Sequence, residues 1–229
     1  MDRRKLKSIN LDFFKQNKKI TFYLMMILLL ICILISKLNL SYGSSTKSYI
    51  SEDVLINGKR IGTTEIISDG LLEPGSCISG QTINPTDVVI HQTGCIDVDA
   101  DRMYESLKNA NNDPYAGTSY SQYRNASWTI TVGYNKIIQN VPLNWQAYAQ
   151  GTDYGNSTGI SIEICMYTDK NKQRQAYLNA IELYKILRNY NDGLGLKKHQ
   201  DYSGKQCPEW LLEGRYGMDW DWFEAKCME

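Results

Sequence analysis

The sequence predicts an α/β or α+β domain built on a central sheet and preceded by one N-terminal membrane-spanning helix. Three observations predict it. The runs V-V-I (88–90) and I-S-I-E-I-C (160–165) read as strands, the first a short apolar run bounded by turn residues and the second a strict alternation. Residues 171–190 repeat apolar side chains every three or four positions, the period of a helix. Finally, Ile20 to Ile35 is an apolar run with no charge, Gly or Pro.

The N-terminal region justifies the membrane helix. Arg3, Arg4, Lys5, Lys7, Lys15, Lys18 and Lys19 precede the apolar run. Its sixteen residues give about 24 Å at about 1.5 Å each, a little short of a hydrocarbon core of about 30 Å. Ser36 and the stems of Lys19 and Lys37 extend the span. The basic flank should stay in the cytoplasm and place everything after about residue 40 outside. A cleaved signal peptide shares these features, and would make the domain secreted. The long basic region and the lack of an A-x-A site favour an uncleaved anchor. The expected division is a cytoplasmic basic segment (1–19), an anchor (20–36), a Ser-rich linker (37–52) and an extracytoplasmic domain (53–229).

Net charge is zero over 229 residues, but residues 1–37 hold 8 of the 25 Lys and Arg and only 2 of the 25 Asp and Glu. The remainder carries 17 basic and 23 acidic side chains, a net of −6. A nucleic-acid binder needs a basic working surface, so that class is excluded.

Within the outer domain, residues 59–67 fit a short strand and the 70–80 stretch with Pro74 a loop. Val88–Ile90 fit a buried strand ending at His91. Asp97 or Asp99 can cap a helix over about 100–110, with Met103 and Leu107 on one face. Residues 113–125 should be an exposed loop, and 128–141 a hairpin around Gly133–Asn135. A Gly-rich loop (151–159) leads to the strand 160–165. There Ile160, Ile162 and Ile164 share one face, and Ser161, Glu163 and Cys165 the other. In the helix 171–190, Ala176, Ala180, Leu183, Leu187 and Tyr190 form the apolar stripe, ended by Gly193 and Gly195.

Histidine is scarce: only His91 and His199 are present. Together with Cys207 they offer two nitrogens and one sulfur, a ligand set for catalytic zinc that leaves a fourth position for water. His199 and Cys207 flank a Ser203–Gly204 turn, but spacing alone does not bring His91 to them. Each residue also has a plainer reading. His91 fits a structural strand-end histidine, Glu163 a solvated edge residue, and Lys205 a surface lysine. Cys207 fits half of a disulfide, with Cys77, Cys95, Cys165 and Cys227 as further candidates. Trp220, Trp222 and Phe223 fit a tail packed back on the domain.

The segments V-V-I-H-Q-T-G, A-S-W-T-I-T-V with K-I-I-Q-N-V-P-L-N, G-I-S-I-E-I-C and H-Q-D-Y-S-G-K-Q-C-P resemble, in order over about residues 84–212, the zinc-dependent N-acetylmuramoyl-L-alanine amidases. The likeness is to the amidase type 2 and peptidoglycan-recognition class, in its autolysin and prophage endolysin branch. The resemblance implies an α/β domain with a central mixed sheet flanked by helices. It also implies Zn2+ held by His91, His199 and Cys207, and Glu163 as general base. Lys205 would steady the oxyanion. The substrate would be peptidoglycan, cut between N-acetylmuramic acid and L-alanine. Two departures stand out. Thr129 and Ala149 occupy positions where the family commonly carries histidines, which would strip polar groups from the cleft. They motivate a rival reading, a catalytically weak muropeptide-binding module on the same fold. A phage lysis enzyme is a third reading.

Overall fold

The computed structural model describes residues 54–229. The basic segment, the anchor and the linker expected from the sequence lie outside these residues, and among the described residues no helix is long and apolar enough to cross a membrane.

Seven strands form one mixed sheet. In chain order they are β1 (Arg60–Ile61), β2 (Thr64–Ile67), β3 (Asp87–Ile96), β4 (Ile130–Val132), β5 (Lys136–Gln139), β6 (Gly159–Met166) and β7 (Gly195–Lys198), and in space they run β1-β2-β5-β4-β6-β3-β7. The strand expected at 59–67 is thus two, an antiparallel pair turning at residues 62–63. The expected hairpin at 128–141 is present as antiparallel β4 and β5. From β4 through β6 and β3 to β7 all neighbours are parallel. Parallel strands are usually covered on both faces, and β6 is buried throughout except at Glu163, which is partly exposed.

One face packs on α3 (Lys170–Tyr190). Val88 and Ile90 stand in register with Ile160 and Ile162, and Ile130 and Val132 align with Ile162 and Ile164, giving a continuous apolar layer. Ala176, Ala180, Leu183 and Leu187 of α3 are fully buried in the same core. Each such leucine contributes about 1.5–3 kcal/mol by leaving water. Tyr190, expected to continue this stripe, is instead 52% exposed at the helix end. Asp169 caps α3 by accepting from the amides of Asn171 and Lys172. The tail packs back as the sequence indicated. Helix α6 (Trp220–Met228) lies along α3 and buries Trp220 and Phe223.

Against β4 and β5 lies α1 (Ala100–Asn112), with Met103 and Leu107 buried as expected. Asp99 is its N-cap by backbone only. Asp97 turns away, accepting from the Thr168 amide at 2.9 Å and hydroxyl at 2.7 Å. The Gly-rich stretch 151–159 is not all loop. Residues Asp153–Thr158 form a short helix, α2, because the Thr152 hydroxyl accepts the Gly155 amide and supplies an N-cap. The chain ends through two short helices, α4 (His199–Ser203) and α5 (Glu209–Leu212), before α6.

Candidate active site

The sheet register assembles the site. On the face opposite α3, His91 of β3 pairs with Glu163 of β6, and Ile90 pairs with Lys198 at the end of β7. His199, one residue beyond Lys198, therefore emerges beside His91. Three parallel neighbours present Glu163, His91 and His199 in one row, at the carboxyl end of β7 and toward that of β6. Such ends are where ligands bind in sheets of this kind. Cys207 arrives from the loop after α4, which the left-handed Gly204 (φ 73°) closes. That loop is fixed by the Gln200 amide donating to the Cys207 carbonyl at 3.0 Å. The Gln92 amide also points at the Cys207 sulfur at 3.5 Å.

The donor atoms of His91, His199 and Cys207 all lie within 4.8 Å of one another, and all three residues are buried. The two Nδ1 atoms are 3.0 Å apart. Burial, the facing imidazole and the Lys205 charge hold His91 well below its ordinary value, and burial plus Lys205 lowers His199 to about 4. Both rings are therefore neutral at pH 7, the form that binds metal. Burial, reinforced by Glu163, pushes the Cys207 thiol up to about 12; a divalent cation reverses that preference, because a coordinating thiol is deprotonated outright. The Nε2 of His91 and Oε2 of Glu163 are buried without hydrogen-bond partners. Two nitrogens and one sulfur, beside the orphaned Glu163 oxygen, fit a zinc ion with an open position. Cys207 is not in a disulfide, and neither are Cys77, Cys95, Cys165 and Cys227.

Glu163 is not an edge residue, since β6 lies between β3 and β4. Burial raises its carboxyl from 4.5 to about 7, with Lys205 pulling the other way. A carboxyl at that value is poised to exchange protons at neutral pH. Lys205 is exposed and lines the same cleft, of about 570 Å³, as Glu163, His199, Cys207, Trp128 and Tyr148. Of the two departures, Ala149 also lines this cleft. Thr129 does not strip it, contrary to expectation. It is fully buried, exchanging hydrogen bonds with Ser161 across the sheet at 3.0 and 3.1 Å.

Sequence reasoning missed Gln92. Its amide nitrogen donates to the Tyr177 hydroxyl at 2.9 Å, and its carbonyl accepts the Trp210 amide at 2.7 Å. It thereby ties β3 to α3 and to the helix after Cys207. A lone Gln after a His carries no sequence signal for that role. Of the cleft wall at 122–128, residues 122–125 fall in the segment expected only as an exposed loop, because Asn, Gly, Ser and Tyr mark a loop without saying what it faces.

Residues 81–210 match the family of N-acetylmuramoyl-L-alanine amidases. The chain is 32% identical over 153 residues to the N-acetylmuramoyl-L-alanine amidase CwlA of a Bacillus species, covering 63% of this chain and 54% of that protein. To the amidase XlyA of Bacillus subtilis (strain 168) it is 32% identical over 151 residues, 64% of this chain and 45% of the relative. The chain thus spans about half the length of the curated relatives it matches. The solved catalytic domain of XlyA superposes with a TM-score of 0.58 at 28% identity, over 72% of this chain and 99% of that domain. Its match over more than half of its residues, on a sheet that gathers the site as described, makes this chain a member of the N-acetylmuramoyl-L-alanine amidase family.

Proposed function

We propose that the chain is a zinc-dependent N-acetylmuramoyl-L-alanine amidase. It cleaves the amide between the lactyl group of N-acetylmuramic acid and L-alanine in peptidoglycan. The observation that carries this reading is the convergence of His91, His199 and Cys207 beside Glu163 at the cleft floor's strand pairing. Zinc, when bound, would supply a Lewis acid that acidifies water and polarises the scissile carbonyl.

The chain's own residues account for the rest. The carboxylate of Glu163 takes a proton from the attacking water as the new C–O bond forms. It then returns that proton to the nitrogen as the C–N bond breaks, leaving a lactyl carboxylate and a free L-alanine amine. The Lys205 ammonium, at the open side of the cleft, faces the charge that develops on the carbonyl oxygen. Met103 and Leu107 of α1 give the cleft one apolar wall, which raises the strength of these charge interactions.

The N-terminal sequence supports single-pass anchoring with the domain outside the membrane, where it meets the wall polymer. Ala149 in the cleft favours the alternative of a muropeptide-binding module that cuts weakly or not at all. Digestion of dye-labelled cell wall separates the two. Dye release with new L-alanine amino termini is expected, whereas binding without release identifies the module.

A further inference from the structure

A second groove adjoins the cleft. It holds about 440 Å³, and its lining includes Ser76, Ser79, Asn125, Tyr148, Thr152 and Asp153. Tyr148 lines both hollows, and Asn125 lies between Arg124 and Ala126, which line the cleft. The two spaces thus adjoin at 124–126 and Tyr148.

One wall of the groove belongs to residues 75–79, which precede the matched family region beginning at 81. That wall is held rigidly. The buried Asn111 side chain, at the end of α1, accepts from the amides of Cys77 and Ile78, each at 3.1 Å, and donates to the Glu73 carbonyl at 2.9 Å. The Ser76 amide donates to the Asn111 carbonyl at 2.9 Å. Gly75 is required by this close approach, because a Cβ there would sit 2.6 Å from Asn111. Tyr148, also in the lining, has its backbone held by two bonds to Ser127, at 3.0 and 3.3 Å, and the residue is 36% exposed. The structure supplies a preformed slot that shares the aromatic residue Tyr148 with the cleft.

The chemistry of the lining selects an occupant. Hydroxyl and amide groups predominate, no lining residue is cationic, and Asp153 is the one carboxylate. A peptide's terminal carboxylate would find no counter-charge here. A neutral N-acylated sugar would find hydroxyl and amide partners and a ring to stack on. We propose that this groove binds the sugar of the glycan strand adjoining the muramic acid whose amide is cut. It would make this chain select glycan polymer over single-sugar muramyl peptides. The inference rests on the amidase reading for its position in the polymer, but the groove can be tested apart from catalysis.

The test uses the full chain with one stem peptide carried on a single muramic acid or on a tetrasaccharide. Wild type should show a higher kcat/KM on the tetrasaccharide. Ser76→Trp, which fills the groove, and Asn125→Ala, which keeps the Cβ but removes the amide, should cut that advantage. The cut should be about tenfold, the value of one or two hydrogen bonds. Cleavage of the single-sugar substrate should stay unchanged. An undiminished tetrasaccharide advantage in both variants would overturn the proposal, as would an equal loss on the single-sugar substrate. If neither substrate is cut, the amidase reading fails. The groove is then judged by calorimetric binding of glycan oligomers freed of peptide. Tenfold weaker binding by Ser76→Trp supports it, and unchanged binding overturns it.

Discussion

Glu163→Gln keeps the shape of the side chain at the centre of the site and removes its ability to ionise. Burial moves this carboxyl from 4.5 to about 7, so the folded protein holds its proton where the unfolded chain has released it. The folded state therefore binds more protons between these values, and its stability falls as pH rises from about 4.5 through about 7. That interval corresponds to about 3 kcal/mol. The neutral amide recovers most of it, less about 1 kcal/mol for burying its own polar atoms. The metal-free variant should thus be about 1–3 kcal/mol more stable than wild type at pH 8, with little difference near pH 4.5. The same change should lower wall cleavage about 10²–10⁴-fold, the usual contribution of a general base, with zinc content intact. The assays are chelator-treated unfolding at the two pH values and dye release. A stability difference independent of pH, or a Gln variant with full activity, would refute the reasoning.

Further predictions concern the ligands and the supports of the site. Cys207→Ser should lower zinc occupancy measured by elemental analysis, while unchanged metal content would remove the sulfur from the proposed set. Asn111→Ala strips three hydrogen bonds from the loop that walls the second groove. It should cost about 2–4 kcal/mol in denaturant unfolding, since two buried amides lose their acceptor. Asp97 sits at φ 58° and is held below the usual carboxylate range by its bonds to Thr168. Its contribution is present above the ordinary aspartate value and is lost as pH falls through the lowered one. Asp97→Asn, which tolerates that backbone, should therefore flatten the acid limb of the stability profile without changing the basic limb.

Elements whose signal is local were legible in the sequence. The run Val88–Ile90, the alternating Ile160–Ile164 strand and the 3.6-period stripe through Leu183 and Leu187 each record their own burial. The closing of the site is not local. His91 and His199 are 108 residues apart in the chain, and they meet because β7 joins β3 in a register that no single segment encodes. The motif resemblance supplied that convergence, and periodicity did not. Where sequence reasoning erred, tertiary context decided. Asp153–Thr158 became helical through the Thr152 cap. Tyr190 fell beyond the last turn that the sheet covers. Thr129 found a partner in Ser161, so its hydroxyl is buried in that pairing and does not line the cleft.

The zinc-edge X-ray absorption spectrum of the metal-loaded chain examines the shared ion directly. Two nitrogen scatterers at about 2.0–2.1 Å, one sulfur at about 2.3 Å and one further light atom are expected. A first shell without sulfur, or one made only of sulfur, would mean that His91, His199 and Cys207 do not grip a common metal.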